Sequence, residues 1–145
     1  MSGPDHTSNN KELIRAFHLR VWAEHDLGAL GETIAPDAVI HWGDSDANAL
    51  AAVRDDVERY FVAFTDVHTS IDELIGEDDK VVLRWSTTGV HTGPYGKVPP
   101  TGRAVTMTGV DLYRVDGSRI VEAWSMWDGL AAYQQLGLVD PDVGP

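Results

Sequence analysis

Apolar residues in the first half of the chain recur at the 3.6-residue spacing of amphipathic helices. This pattern predicts a first helix that Asn9 or Asn10 caps, a short second helix over residues 26–34, and a third helix from about Asn48 to Phe64. The apolar positions of the first and third helices are Leu13, Ile14, Phe17, Val21 and Trp22, and then Leu50, Val53, Val57, Tyr60, Phe61 and Phe64.

After the third helix the pattern changes to the two-residue alternation of β-strands. Asp116-Gly117 predicts a tight hairpin, and Asp128 is placed to cap a last turn of helix. The predicted strands, with a short one that precedes the third helix, cover residues 35–42, 67–75, 80–91, 103–115 and 119–127.

Helices first and a long antiparallel run afterwards are typical of the α+β class. We expect the N-terminal helices to pack into a strongly curved, mainly antiparallel sheet, which makes an α+β barrel with an internal cavity. The expected organisation is a disordered N-terminus at 1–8, a single domain at 9–138 and a tail at 139–145. The outer sheet face is predicted to pair with a second copy in a homodimer.

Charge and composition narrow the classes of partner. The chain has 145 residues, with 11 basic and 23 acidic ones, for a formal charge of -12. Such a surface repels phosphate backbones and anionic membranes, so we expect no nucleic-acid or membrane partner. With no cysteine, thiol nucleophiles and sulfur-ligated metals are excluded. Neither a long apolar run nor a signal-peptide core is visible, which favours a cytoplasmic protein.

One carboxylate interrupts an otherwise apolar strand face. Alternation places Asp111 together with Met107 and Tyr113. Burying an ionised carboxylate is costly unless the group is paired or functional, and an apolar cavity raises its pKa toward neutrality. Asp111 is therefore a candidate for proton transfer, and the alternative is an ion pair with Arg84 or Arg114 on a sheet face.

Two histidines are further candidates for the cavity. His91 ends the strand that also carries Trp85, and His41 follows the apolar run of the short strand. Each either points into the cavity or forms hydrogen bonds at a strand end. By default, His18 is expected at the surface.

On the last strand, Ser125 and Trp127 alternate with Trp124, and periodicity leaves open which set faces the cavity. The sequence has no metal-binding, nucleotide-binding or hydrolase motif, so we expect no metal and no cofactor.

Several short motifs together resemble the SnoaL-like polyketide cyclases over residues 10–138. They are Ala35-Pro36-Asp37, Arg84-Trp85, Gly89-Val90-His91-Thr92-Gly93, Pro99-Pro100-Thr101-Gly102-Arg103, Asp116-Gly117 leading to Ile120-Val121-Glu122, and Tyr133-Gln134-Gln135-Leu136-Gly137. The resemblance implies an intramolecular aldol ring closure of a hydrophobic aromatic polyketide, without metal or organic cofactor. A carboxylate removes an acidic C–H proton, and the enolate attacks a second carbonyl in a dry pocket.

The chain differs from the family at the position of the catalytic acid. The cyclases carry an acid/base Asp directly after the position that is Trp124 here, and this chain has Ser125. Asp111 stands where the cyclases place a pocket histidine, so we expect it to be the relocated base. His91 and Ser125 are then expected to donate hydrogen bonds to the developing oxyanion. The predicted substrate-binding residues are His41, Trp85, Met107, Tyr113, Trp124 and Trp127.

Two other functions stay open on the same fold. One is a polyketide hydroxylase component, since an altered acid site is what such a change of reaction would produce. The other is a non-catalytic binding module for small molecules. A cavity filled by its own side chains, or an Asp111 that faces outward, would favour the binding module.

Overall fold

The computed structural model describes residues 4–43 and 45–143 of the chain. In chain order, its elements are α1 (Pro4–His18), α2 (Gly28–Thr33), β1 (Ile34–Trp42), β2 (Ser45–Asn48), α3 (Ala49–Ala63), β3 (Phe64–Glu77), β4 (Lys80–His91), β5 (Ala104–Asp116), β6 (Arg119–Trp127) and α4 (Gly129–Gln135). A single π-helical turn, Leu19–Ala23, continues α1. Within these residues, no helix is long and apolar enough to cross a membrane.

The strands form one mixed sheet in the order β2-β1-β6-β5-β4-β3. All neighbouring strands are antiparallel except β1 and β6, which run parallel. The α+β class with N-terminal helices and a mainly antiparallel sheet is therefore confirmed. Over the described residues the sheet does not close, since β2 and β3 stay as its edges.

Elements with strong local signals lie where the sequence predicts them. The strands predicted at 80–91 and 119–127 match β4 and β6. α3 follows Asn48, whose side chain accepts a hydrogen bond from the amide of Ala51. Asp128 caps α4 in the same way, by accepting from the amide of Ala131. Local capping chemistry therefore sets both helix starts.

The start of the first helix was predicted wrongly. α1 begins at Pro4, and Asn10 is a buried residue inside it rather than its cap. Thr7 and Lys11 lie directly over Gly76 of β3, so tertiary packing holds a helical turn that has no apolar pattern of its own. Residues 1–3 of the predicted disordered segment, and 144–145 of the tail, lie outside the described residues. The edge strand β2 was missed, because its four exposed residues show no alternation.

A bulge in β6 decides which of its residues face the helices. Ile120 pairs with Val115 and Glu122 pairs with Arg114, so Val121 is an extra residue in β6. Ile120 is buried, and after the bulge the inward set shifts to the odd positions, beginning with buried Ala123. Ser125 and Trp127 therefore lie on the inner face.

Packing between β4 and β5 depends on a glycine. Trp85 lies directly opposite Gly109 in the register, and a Cβ atom at Gly109 would overlap the Trp85 indole. The missing side chain lets the indole lie across β5, beside the next inward residue of that strand, Asp111.

The outer sheet face carries exposed apolar residues, including Val110 at 43% and Met126 at 72% exposure. The predicted homodimer through this face stays a prediction.

Gly109→Ala should lower the free energy of unfolding by about 1–3 kcal/mol, because the added methyl group must displace the Trp85 indole. The matched control is Gly31→Ala in α2, where nothing lies within 4 Å of the new atom. In a helix this change gains up to about 1 kcal/mol. Urea unfolding of the two variants checks the difference, and equal stabilities would contradict this account of the packing.

Candidate functional site

A cavity of about 580 Å³ lies between the helices and the inner sheet face. Its volume is in the range of small-molecule sites, and most of its wall is aromatic or aliphatic. Two hydrophobic clusters border it. One contributes Phe17 and Ile40 to the lining, and the other contributes Tyr60 and Met107.

Asp111 lies in the wall of this cavity, and two hydroxyl groups hold its carboxylate. The Ser125 hydroxyl donates to Oδ1 at 2.7 Å, and the Tyr113 hydroxyl donates to Oδ2 at 3.1 Å. Asp111 and Ser125 are direct partners across β5 and β6. Tyr113 is the next inward residue on Asp111's own strand. Each carboxylate oxygen therefore has a neutral donor, and no described cation forms a salt bridge with either.

Burial raises the pKa of Asp111 from 3.8 to about 6, because the apolar wall disfavours the charged form. The hydrogen bonds from Ser125 and Tyr113 oppose this shift. Trp85 opposes it more weakly, since its indole N–H lies near the carboxylate but forms no hydrogen bond with any described residue. A carboxyl group with a pKa near 6 can both accept and return a proton near neutral pH.

The cavity brings together much of the predicted site. Its lining includes the predicted residues Asp111, Ser125, Trp85, Met107, Tyr113 and Trp127. Their roles in binding or catalysis stay predictions.

His91 is not among the lining residues, which corrects its expected place at the site. It is fully buried, and its Nδ1 accepts a hydrogen bond from the Thr101 amide at 3.1 Å. The ring packs against Phe64, with 5.3 Å between centroids. Through Thr101, His91 holds the connection between β4 and β5, while its Nε2 has no hydrogen-bond partner among the described residues.

His41 and Trp124 were also predicted to bind substrate, and the structure places both on the outer sheet face. They are direct partners across β1 and β6, and their rings stack at 5.0 Å. His41 Nδ1 lies 2.6 Å from Asp46, and its Nε2 lies 2.8 Å from Glu122. These carboxylates, Glu122 foremost, raise the pKa of His41. Alternation explains the correction, because Ile40 takes the inward position.

Several cavity residues were missed by the sequence prediction. Asp56 and Tyr60 of α3 line the wall, as does His18 of α1. Burial raises the pKa of Asp56, while the nearby Arg59 charge opposes the shift. Helical spacing could have found Asp56, since it lies three residues from Val53 and four from Tyr60 on the apolar face of the helix.

No group of three or more histidine, cysteine, aspartate or glutamate side chains is placed to hold a metal ion within the ranges 4–43 and 45–143.

Comparisons with known proteins agree with this geometry. Residues 12–136 match the family model described as SnoaL-like polyketide cyclase. The solved structure of AclR from Streptomyces galilaeus, a candidate hydroxylase, is 27% identical, covering 95% of this chain and 86% of that chain, with a TM-score of 0.85. IdmH from Streptomyces antibioticus, a candidate polyketide cyclase, is 30% identical over 88% of this chain and 98% of its own, with a TM-score of 0.75.

A candidate polyketide cyclase from Acidithiobacillus ferrooxidans is likewise 30% identical, over 89% of this chain and 94% of that chain, with a TM-score of 0.76. None of the curated proteins compared by sequence matches this chain.

The raised pKa of Asp111 makes stability depend on pH with a defined sign. The folded value, about 6, lies above the ordinary 3.8, so folding favours the protonated form. This contribution is complete below about pH 4 and is lost as the pH rises through about 6. Relative to Asp111→Asn, the wild-type free energy of unfolding should fall by on the order of 1–3 kcal/mol between about pH 4 and pH 7.

Asp72→Asn is the control, because its effect on stability should change with pH in the opposite direction. Hydrogen bonds from Ser86 and then Ser70 lower the pKa of Asp72, so wild type should gain stability over this variant as the pH rises. Denaturant unfolding across the pH range measures both. A wild type and an Asp111→Asn variant with parallel pH profiles would contradict the raised pKa.

Proposed function

The chain belongs to the SnoaL-like polyketide cyclase family, and on that basis we propose that it is a cyclase-type enzyme with Asp111 as its acid/base. The substrate class is a hydrophobic, aromatic polyketide with an acidic C–H between carbonyl groups. The observation that carries the proposal is a carboxyl group with a pKa of about 6, held by two hydroxyl donors inside an apolar cavity.

In the proposed reaction, the Asp111 carboxylate removes a proton from a carbon that two carbonyl groups acidify. The resulting enolate carbon attacks a second carbonyl carbon of the same molecule, which forms the ring bond and leaves an alkoxide. Asp111 returns its proton to that alkoxide, so the residue ends the cycle ionised. Substrate and product have the same atoms, and the closure consumes no oxidant or reductant.

The relation between Asp111 and Ser125 supports a relocated acid. Ser125 occupies the position at which the family resemblance implies the acid, and it lies directly opposite Asp111 in the register. Because cross-strand partners lie close together, moving the carboxylate by one strand keeps it near the same bound carbon. The Ser125 hydroxyl is already engaged by Asp111. We therefore assign Ser125 to positioning the base, in place of its expected contact with the oxyanion.

A second candidate function is that of a polyketide hydroxylase component. The similarity to AclR, with a TM-score of 0.85, favours it. The two reactions differ in their mass balance, because ring closure is an isomerisation whereas hydroxylation adds an oxygen atom from dioxygen and needs a reductant. Product mass after incubation with and without a reductase partner separates them. An oxygenated product that forms only with the partner would replace the cyclase proposal.

The non-catalytic binding module has less support. It would be favoured by a filled cavity or by an outward-facing Asp111, whereas the described cavity is open and Asp111 is in its wall.

Asp111→Asn should lower turnover of an uncyclised aromatic polyketone by about 10²–10⁴-fold, because the amide cannot accept the proton. Binding of the polyketone should change little, since size and shape are kept. Isothermal titration and single-turnover kinetics measure the two effects separately. Full turnover in this variant would contradict the role of Asp111.

Ser125→Ala tests the same base by removing one of its hydrogen-bond partners. In wild type, kcat/KM should rise with pH through about 6, since the base must be ionised. The Ser125 hydrogen bond lowers the pKa of Asp111, so its loss should move this acidic limb to higher pH while the chemistry survives. An unmoved limb in Ser125→Ala would show that the limb belongs to another group.

A further inference from the structure

His18 is a buried polar residue of the cavity, and it takes no part in the reaction proposed for Asp111. It ends α1, is 2% exposed and lines the cavity. The expectation of a surface position was wrong, because His18 lies four residues from Ile14 and three from Val21 on the buried helix face. Its ring centroid is 6.5 Å from that of Trp85, whose indole N–H lies near the Asp111 carboxylate.

Hydroxyl groups hold one nitrogen of this ring. His18 Nε2 lies 2.9 Å from the Thr69 hydroxyl, which in turn lies 2.9 Å from the Thr87 hydroxyl. The other nitrogen, Nδ1, is buried and has no hydrogen-bond partner among residues 4–43 and 45–143. An unpaired buried polar atom destabilises a fold, because it loses its hydrogen bonds to water without replacing them. A ligand that pairs with the atom removes this destabilisation.

His18 is a neutral imidazole under working conditions, since burial lowers its pKa from 6.5 to about 4. A neutral ring has one N–H donor and one acceptor nitrogen. The Thr69 hydroxyl oxygen lies 2.9 Å from Nε2 and 3.4 Å from the Ser86 carbonyl oxygen, and its one proton is assigned to the shorter contact. Thr69 then donates to Nε2 and accepts from Thr87, so the ring proton resides on Nδ1. The hydroxyl chain then leaves Nδ1–H as an unused donor.

We propose that His18 donates the hydrogen bond that stabilises the enolate oxygen formed when Asp111 removes the substrate proton. This inference rests on the proposed function. The enolate needs a preorganised donor in a water-poor site. Of the two donors that the sequence suggested, His91 is not in the cavity lining and Ser125 already donates to Asp111. A neutral imidazole also supplies a donor without pairing with the base as a cation would.

Tyr60 offers another cavity donor without a partner among the described residues, its hydroxyl group. Its oxygen lies over Gly89 and beside Phe64, at the far end of β4 from the strand position opposite Asp111. The His18 ring instead packs near Trp85, and Trp85 lies near Asp111. Tyr60→Phe is therefore the matched control, since it removes an unpaired cavity donor at the wrong place.

Binding of 4-nitrophenol tests the donor without turnover. In the Asp111→Asn background, which imitates the protonated base, the cavity should bind the coloured phenolate in preference to the phenol. Adding His18→Phe should weaken phenolate binding by about 10- to 100-fold, and adding Tyr60→Phe should not. His18→Asn, whose amide nitrogen can take the place of Nδ1, should recover part of the loss. Thermal unfolding checks that each variant folds.

Kinetics with the polyketone complete the test. His18→Phe should reduce kcat by about 10²–10³-fold with little change in KM, and His18→Asn should restore part of it. Equal phenolate binding with and without His18→Phe would overturn the inference, as would an equal loss in Tyr60→Phe. If wild type closes no ring but the phenolate result holds, the proposed function fails while His18 keeps its role as an oxyanion donor.

Discussion

The central constraint on this molecule is the burial of one carboxylate without a cation to pair it. An ion pair would hold the pKa of Asp111 low, whereas bare hydrocarbon would leave the group without any partner. Two neutral hydroxyls, from Ser125 and Tyr113, give it an intermediate environment. Its pKa of about 6 results from the apolar wall more than from these donors. The chemistry proposed for the cavity depends on that balance.

Backbone features of the sheet maintain this environment. The bulge at Val121 turns Ser125 inward, and without it Trp124 would face Asp111. Gly109 makes room for the Trp85 indole, which lies across from it on β4 and near the carboxylate. Ser125 of β6 therefore lies directly across the ladder from the Asp111 carboxylate of β5.

Local patterns predicted much of the fold, and the failures have physical causes. β4, β6 and α3 have strong periodicity and caps, so their bounds were predictable. The face of β6 was not, because a bulge breaks alternation without a distinctive residue. His91 is buried outside the cavity lining instead of within it, and His18 lies in the lining instead of at the surface, because a helix face turns it inward. Only tertiary packing decides such positions. The place of Asp111 in the cavity wall was predictable, because a carboxylate on an apolar strand face is rare.

The most direct test of the central claim is the titration of Asp111 itself. Carbon-13 NMR of the side-chain carboxyl groups follows that residue through the pH range, with Asp111→Asn to assign its signal. The account predicts a midpoint near the value of about 6 that burial produces. A midpoint at the ordinary value of 3.8 would show that the carboxylate is solvated or paired, and the proposed acid/base role would then have no physical basis.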